Sequence, residues 1–191
     1  MVDLSEIRQY LGMKIDRDRR GRRLFLHQTR YTETILRRFG WGDCKGIYMP
    51  MDGKAALALA EDPVEDVDCS AYRAMVGHVM YAMLGTCPDL ACMISALSKF
   101  NTNLITGHHS AVKRPLHYPQ QTKTYGIIYG GVEGTTQAFP EPVCYKDSDW
   151  AGDRQDRRST GGYVITLCRG VISWKTRKQD VVAYLPSRRS M

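Results

Sequence analysis

The chain lacks any apolar run near the ~20 residues that a bilayer-spanning helix requires. Its first residues, Met1-Val2-Asp3-Leu4-Ser5-Glu6, contain no basic stretch followed by an apolar one, which argues against a secretory signal. None of the six cysteines (Cys44, Cys69, Cys87, Cys92, Cys144 and Cys168) forms a C-x-x-C pair. The usual zinc-finger and redox spacings are therefore missing. A zinc set drawn from Cys87, Cys92, His108 and His109 matches no common ligand pattern. These absences predict reduced, mostly buried thiols in a cytoplasmic or nuclear protein.

What the chain does have is an excess of positive charge. Over its 191 residues, 27 Lys plus Arg against 20 Asp plus Glu leave a formal net charge of +7. A basic surface attracts phosphate backbones through counterion release, although an ordinary basic globular protein has the same composition. Hydrophobic residues at 43% and charged residues at 25% exclude a disordered chain.

Periodicity divides the sequence. Residues 9–28 read as a β-hairpin, with alternation at Leu11, Met13 and Ile15, a turn at Asp18-Arg19-Arg20-Gly21, and a return through Leu24 to Gln28. Thr29 or Thr32 is a candidate cap for a helix whose stripe is Tyr31, Ile35, Leu36 and Phe39, ended by Gly40. Residues 42–68 read as a loop. Ser70 is a candidate cap for a second helix, with Tyr72, Met75, Val76, Val79, Met80 and Met83 on one face. A third helix starts at Pro88 and buries Leu90, Met93, Ile94, Leu97 and Phe100. The short join at Gly85-Thr86 predicts an antiparallel pair. His109 to Arg114 starts a basic helical turn that Pro115 and Pro119 are expected to stop. From residue 125 onward the pattern is strand-like, at Tyr125–Tyr129, Val143–Lys146, Tyr163–Leu167 and Val171–Trp174.

Several blocks then match one family. Asp3-Leu4 with Tyr10-Leu11-Gly12-Met13-Lys14-Ile15, and then Leu26-His27-Gln28, open the series. Tyr72-Arg73-Ala74-Met75-Val76-Gly77, Thr86-Cys87-Pro88-Asp89-Leu90 and Ala111-Val112-Lys113-Arg114 follow. Asp147-Ser148-Asp149-Trp150-Ala151-Gly152-Asp153, Arg158-Ser159-Thr160-Gly161-Gly162-Tyr163 and Ile172-Ser173-Trp174-Lys175 complete it. In this order, and across nearly the whole chain, the blocks resemble copia-type retrotransposon Pol polyproteins. Each block alone is a weak signal; together and in register they are a strong one.

The resemblance implies three parts. Residues 1–28 would be the end of a reverse transcriptase palm with a primer-grip-like hairpin. Residues 29–119 would be thumb and connection helices, and 120–191 a truncated ribonuclease H-like domain. The implied fold class is α+β: a β-hairpin, a small helical unit and an incomplete mixed sheet. Asp147 falls where the family's first catalytic aspartate lies, and Asp149 is the neighbouring candidate. On an extended strand, residues two apart face the same way. Mg2+ is the family's cofactor, and Asp147 would be a ligand in a vestigial, incomplete site that is not expected to hold the ion stably. The implied partners are RNA–DNA or DNA duplexes, met without sequence preference. The candidate contacts are Leu11, Gly12, Gln28, Lys113, Arg114 and Arg158, with support from the Arg17–Arg23 run, Arg154 and Arg157. Tyr10, Phe25, Tyr31 and Trp41 are candidates for sugar or base faces.

Two-metal chemistry needs a cluster of carboxylates around both ions. No Tyr-Val-Asp-Asp turn occurs in the sequence, and nothing acidic follows Asp180. The expectation is therefore a catalytically incomplete fragment with weak nucleic-acid binding. The alternatives are a metal-dependent nuclease completed by a partner chain, and a non-catalytic interaction module.

Overall fold

The computed structural model describes residues 6–50, 69–101, 117–130, 141–149 and 156–182. It is an α+β arrangement of two antiparallel sheets beside a helical cluster.

The first sheet has the order β1-β2-β3-β4, comprising Gln9–Tyr10, Met13–Asp18, Arg23–His27 and Gly126–Gly130. Leu11 and Gly12 lie between the paired residues Tyr10 and Met13, with φ of 44° and 70°. Two consecutive positive φ values in a two-residue loop define a type I′ hairpin turn, in which glycine at the second place relieves strain. The expected strand through Leu11 thus begins two residues later, and Leu11-Gly12 is its turn. The second turn is where the sequence places it: the Gly21 N–H donates to Asp18 Oδ1 at 2.9 Å.

β4 was expected to open the C-terminal sheet. It pairs instead with β3, with Phe25 opposite Ile128 and Leu26 opposite Ile127. Ile127 is buried, on the face that also carries Ile15 and Leu26.

α1 spans Thr29–Arg38. Neither Thr29 nor Thr32 caps it: Gln28 occupies the cap position, Thr29 Oγ1 lies 2.6 Å from His27 Nδ1, and Thr32 is buried. Gly40, at φ 70°, ends it as expected. The Gly40 N–H donates to Arg37 O and the Trp41 N–H to Leu36 O, which satisfies the last carbonyls.

α2 spans Cys69–Gly85, so Ser70 lies inside its first turn. A 3₁₀ turn at Pro88–Leu90 leads into α3, Ala91–Ser98. The predicted stripes are the core. Tyr72, Val79, Leu90, Ile94 and Leu97 are sealed from solvent, with Met80 and Met83 packed against them. The Tyr72 hydroxyl donates to Leu97 O at 2.8 Å, joining the start of α2 to the end of α3. That is the antiparallel contact that the short join requires.

Residues 117–122 form a further helix, α4, with Pro119 inside it. The turn expected over 109–114, which Pro115 and Pro119 are expected to stop, lies outside the described residues. Gln120 donates to Gly42 O at 2.7 Å and the His117 ring to Lys45 O at 2.9 Å, which ties α4 to the 41–47 loop.

The second sheet has the order β5-β6-β7, from Val143–Ser148, Thr160–Leu167 and Gly170–Lys178. Every pairing among the described residues is antiparallel, including those in this sheet, where a mixed arrangement was expected. It meets the first sheet where the Gly130 N–H donates to Cys168 O at 2.8 Å and the Tyr129 hydroxyl to Val171 O at 2.7 Å. No described helix is long and apolar enough to cross a membrane.

Candidate nucleic-acid interface and carboxylate site

The two candidate sites sit on different sheets. Asp147 is the fifth residue of β5, and its cross-strand partner is Gly162, which in turn faces Thr176 on β7. Side chains opposite one another in an antiparallel ladder share a face. The row through Asp147 therefore has no side chain at its centre, and the carboxylate stands over bare backbone. The next row on that face is Tyr145, Val164 and Trp174. A groove of about 470 Å³ runs along these strands and is closed on one side by Pro88, Ala91 and Cys92 at the start of α3.

The two aspartates have different partners. Among the described residues, Asp147 Oδ1 accepts only the adjacent Ser148 N–H, at 2.8 Å. Asp149 Oδ1 accepts the Thr160 N–H at 2.5 Å, while its own N–H donates to Thr160 O at 3.1 Å. One carboxylate oxygen of Asp149 thus extends the β5–β6 ladder. Among the described residues, no three His, Cys, Asp or Glu side chains come together as a metal-binding group. Asp147 is exposed and, among the described residues, tied to no other side chain.

The hairpin tip is the second site. Leu11 and Tyr10 stand well out of the surface, at 64% and 57% exposure. Gln28 does not join them. It is 2% exposed, its Oε1 accepts the Thr86 hydroxyl at 3.0 Å, and its side chain lies against Gly85. That position takes it out of reach of a docked duplex and makes it a strut between α1 and α2. Its Nε2 has no partner among the described residues.

The basic residues are partly used internally. Arg158 Nε lies 3.5 Å from Asp156 Oδ2, and Lys178 Nζ lies 2.8 Å from the same oxygen. Arg19 pairs with Glu6, and Arg23 lies 3.5 Å from Asp18 Oδ2. Exposed pairs of this kind contribute little stability and exchange readily for a phosphate. Arg17, Arg20 and Arg22 form no ion pair among the described residues. Lys113, Arg114 and Arg154 lie outside the described residues.

Of the aromatic candidates, Tyr10 is exposed, whereas Tyr31 and Trp41 pack against the core. Phe25 is half-buried and stacks on His27 at 4.9 Å. Sequence reasoning passed over two residues that shape these sites. Gly162 was visible as half of a Gly-Gly pair inside a strand, a mark of close approach. Tyr81 was visible as an aromatic off the buried stripe of α2.

The thiols differ from expectation: Cys69, Cys92, Cys144 and Cys168 are exposed. Of the two half-buried thiols, Cys44 and Cys87, Cys87 is the more strongly shifted. Burial, helped by the nearby Asp89 carboxylate, pushes its thiol up to about 11. Alkylation near neutral pH is expected to consume the four exposed thiols first and Cys87 roughly a hundredfold more slowly, since only thiolate reacts. Mass mapping of a timed iodoacetamide reaction reads this, and equal labelling of Cys87 would contradict its placement.

Comparison with known proteins gives the site its context. No protein-family profile matches the chain, and no solved structure does. Several curated relatives match nearly the whole of this chain, among them polyproteins of plant transposons. The retrovirus-related Pol polyprotein from tobacco transposon TNT 1-94 is 37% identical over 188 residues, which is 96% of this chain and 14% of that polyprotein. An uncharacterized mitochondrial protein of Arabidopsis thaliana is 33% identical over 186 residues, covering 72% of its length. A secreted RxLR effector protein 161 of Plasmopara viticola is 44% identical over 112 residues, or 59% of this chain and 75% of the effector. Over nearly its whole length the chain is therefore similar to one segment of retrovirus-related transposon Pol polyproteins, and it spans about one seventh of the length of the tobacco polyprotein.

Proposed function

We propose that this chain is the stretch of a copia-type polyprotein in which reverse transcriptase ends and ribonuclease H begins. On this reading residues 1–28 close the palm, 29–119 supply thumb and connection, and 120–191 carry the ribonuclease H-like strands. β4 from that last part adds to the palm-side sheet. The observation that carries the reading is Asp147 near the end of an antiparallel strand, over the bare backbone of Gly162 and beside an open groove.

In such a site Asp147 would hold Mg2+, with Asp149 lending its second oxygen. The ion, when bound, supplies Lewis-acid stabilisation of a phosphoryl oxygen and an activated water. The protein's own part is to present Asp147 on a rigid ladder and to leave its face clear. Two carboxylates do not complete the shells of two hard cations. The 191 residues by themselves are therefore expected to bind nucleic acid without cutting it. The binding is sequence-independent and salt-sensitive, through the hairpin tip, Arg17, Arg20 and Arg22, and Lys113 and Arg114.

Filter binding of an RNA–DNA hybrid at low and moderate salt tests the first half. Retention at low salt that falls steeply with added salt is the expected result, and no retention at low salt would sink it. Incubation of the hybrid with magnesium tests the second half. Cleavage abolished by Asp147→Asn would establish a working nuclease instead, the alternative favoured by the unencumbered Asp147 carboxylate.

A further inference from the structure

The first hairpin turn is held by a side chain 70 positions away in sequence. Tyr81 sits on α2 outside the buried stripe, and its hydroxyl donates to Leu11 O at 2.6 Å. A Cβ at Gly12 would stand 3.2 Å from the same hydroxyl, so the ring's end underlies both residues of the turn. Behind it, the Tyr31 ring packs at 4.8 Å. The Tyr31 hydroxyl in turn lies 3.0 Å from His78 Nδ1 and 3.1 Å from His78 O. A continuous aromatic column thus runs from the tip into the helical core.

β1 is two residues long, and so short an edge strand does not fix a hairpin tip unaided. The contact from α2 supplies what the ladder lacks. It also has a polarity. Leu11 and Gly12 fall between the last ladder pair, so their N–H groups have no partner strand. The Leu11 carbonyl, the group that would repel an anion, is the one occupied by Tyr81.

We infer that Tyr81 is a positioning residue for the hairpin tip: it binds the Leu11 carbonyl from below and leaves the Leu11 and Gly12 N–H groups as outward donors for a phosphodiester oxygen. The inference rests on the nucleic-acid reading proposed above. Backbone N–H donors at a fixed turn read phosphate without reading sequence. This matches a chain that must follow any template.

Tyr81→Phe removes the hydroxyl and keeps the ring. Tyr31→Phe removes a hydroxyl one layer deeper and serves as the control. Amide NMR of Leu11, Gly12 and Met13, and anisotropy titration of a labelled RNA–DNA hybrid across a salt series, are the two readouts. In Tyr81→Phe the tip amides are expected to shift and broaden, and hybrid affinity to fall about fivefold, as for one lost hydrogen bond. The salt slope should not change, because no phosphate-neutralising charge is removed. Tyr31→Phe should leave tip and affinity in place. Unmoved tip amides in Tyr81→Phe overturn the inference. So does an unchanged affinity despite a moved tip. If the unaltered chain binds no hybrid, the nucleic-acid reading falls and takes the phosphate role of Tyr81 with it, while the amide spectra still report whether the hydroxyl holds the turn.

Discussion

Leu97→Ala is expected to lower the unfolding free energy by about 3 kcal/mol, within the range for truncating a sealed leucine. Leu97 is 1% exposed and belongs to a cluster with Tyr72, Val76 and Ile94. The size of such a loss depends on whether the site collapses around the missing atoms. Here the backbone is pinned: Leu97 O accepts the Tyr72 hydroxyl, which ties α3 to α2 at that point. The cavity should therefore persist. Against a typical total stability of ~5–15 kcal/mol the loss is large. Urea titration of the intact chain measures it. Leu84→Ala, at a position 65% exposed on the same helical pair, is the reference and should change stability by less than ~0.5 kcal/mol. Equal effects at the two positions would remove the helical cluster from the centre of the fold.

The same contrast explains which features could be read from the sequence. The α3 stripe of Leu90, Met93, Ile94, Leu97 and Phe100 was legible to the last residue because a helix writes its buried face into a local period of 3.6. Strands write only their faces. The alternation around Leu24 to Leu26 predicts a half-buried strand, but nothing local says that its neighbour lies about a hundred residues away at Ile127 and Ile128. β4 was for that reason assigned to the wrong sheet. The Leu11-Gly12 turn was misread because Leu11 continues the apolar alternation of Met13 and Ile15. Only the pairing of Tyr10 with Met13 turns that alternation into a bend.

At the candidate sites, Asp147 was legible from its place at a strand end, and only because a family pattern singled it out. Its surroundings were not. That Gly162 stands opposite is a matter of register in the β5–β6 ladder, which no local run of residues announces. Gln28 shows the opposite error. A polar residue after a strand looks available, yet its amide is buried against Gly85 and Thr86. Burial of a polar side chain is decided by what packs over it, which a single sequence does not encode.

Gly170→Ala is expected to cost about 2 kcal/mol, in the range for overpacking a tight contact, and to loosen the second sheet from the first. A Cβ at Gly170 would stand 2.3 Å from Cδ1 and 2.5 Å from Cε1 of Tyr129, and 2.8 Å from Ile128 O. The ring cannot simply swing away, since its hydroxyl is committed to Val171 O at 2.7 Å. The backbone beside it is committed too, through Gly130 N–H to Cys168 O. Relief must come from parting β4 and β7. The turn just before Gly170 adds to the strain. Cys168 and Arg169 occupy its two central places at φ 49° and 69°, a geometry that favours Asn-Gly. A turn so disfavoured is held by its docking, so that loss of docking should release it. Arg169→Gly, which relieves the turn without touching Tyr129, is expected to recover about 1 kcal/mol of the loss in the Gly170→Ala background. Chemical denaturation of the single and double variants measures both values, and hydrogen exchange of the β6–β7 strands reports the loosening. A Gly170→Ala chain with unchanged stability and unchanged exchange would mean that the two sheets do not meet at Tyr129, and that the carboxylate strand is not fixed relative to the hairpin.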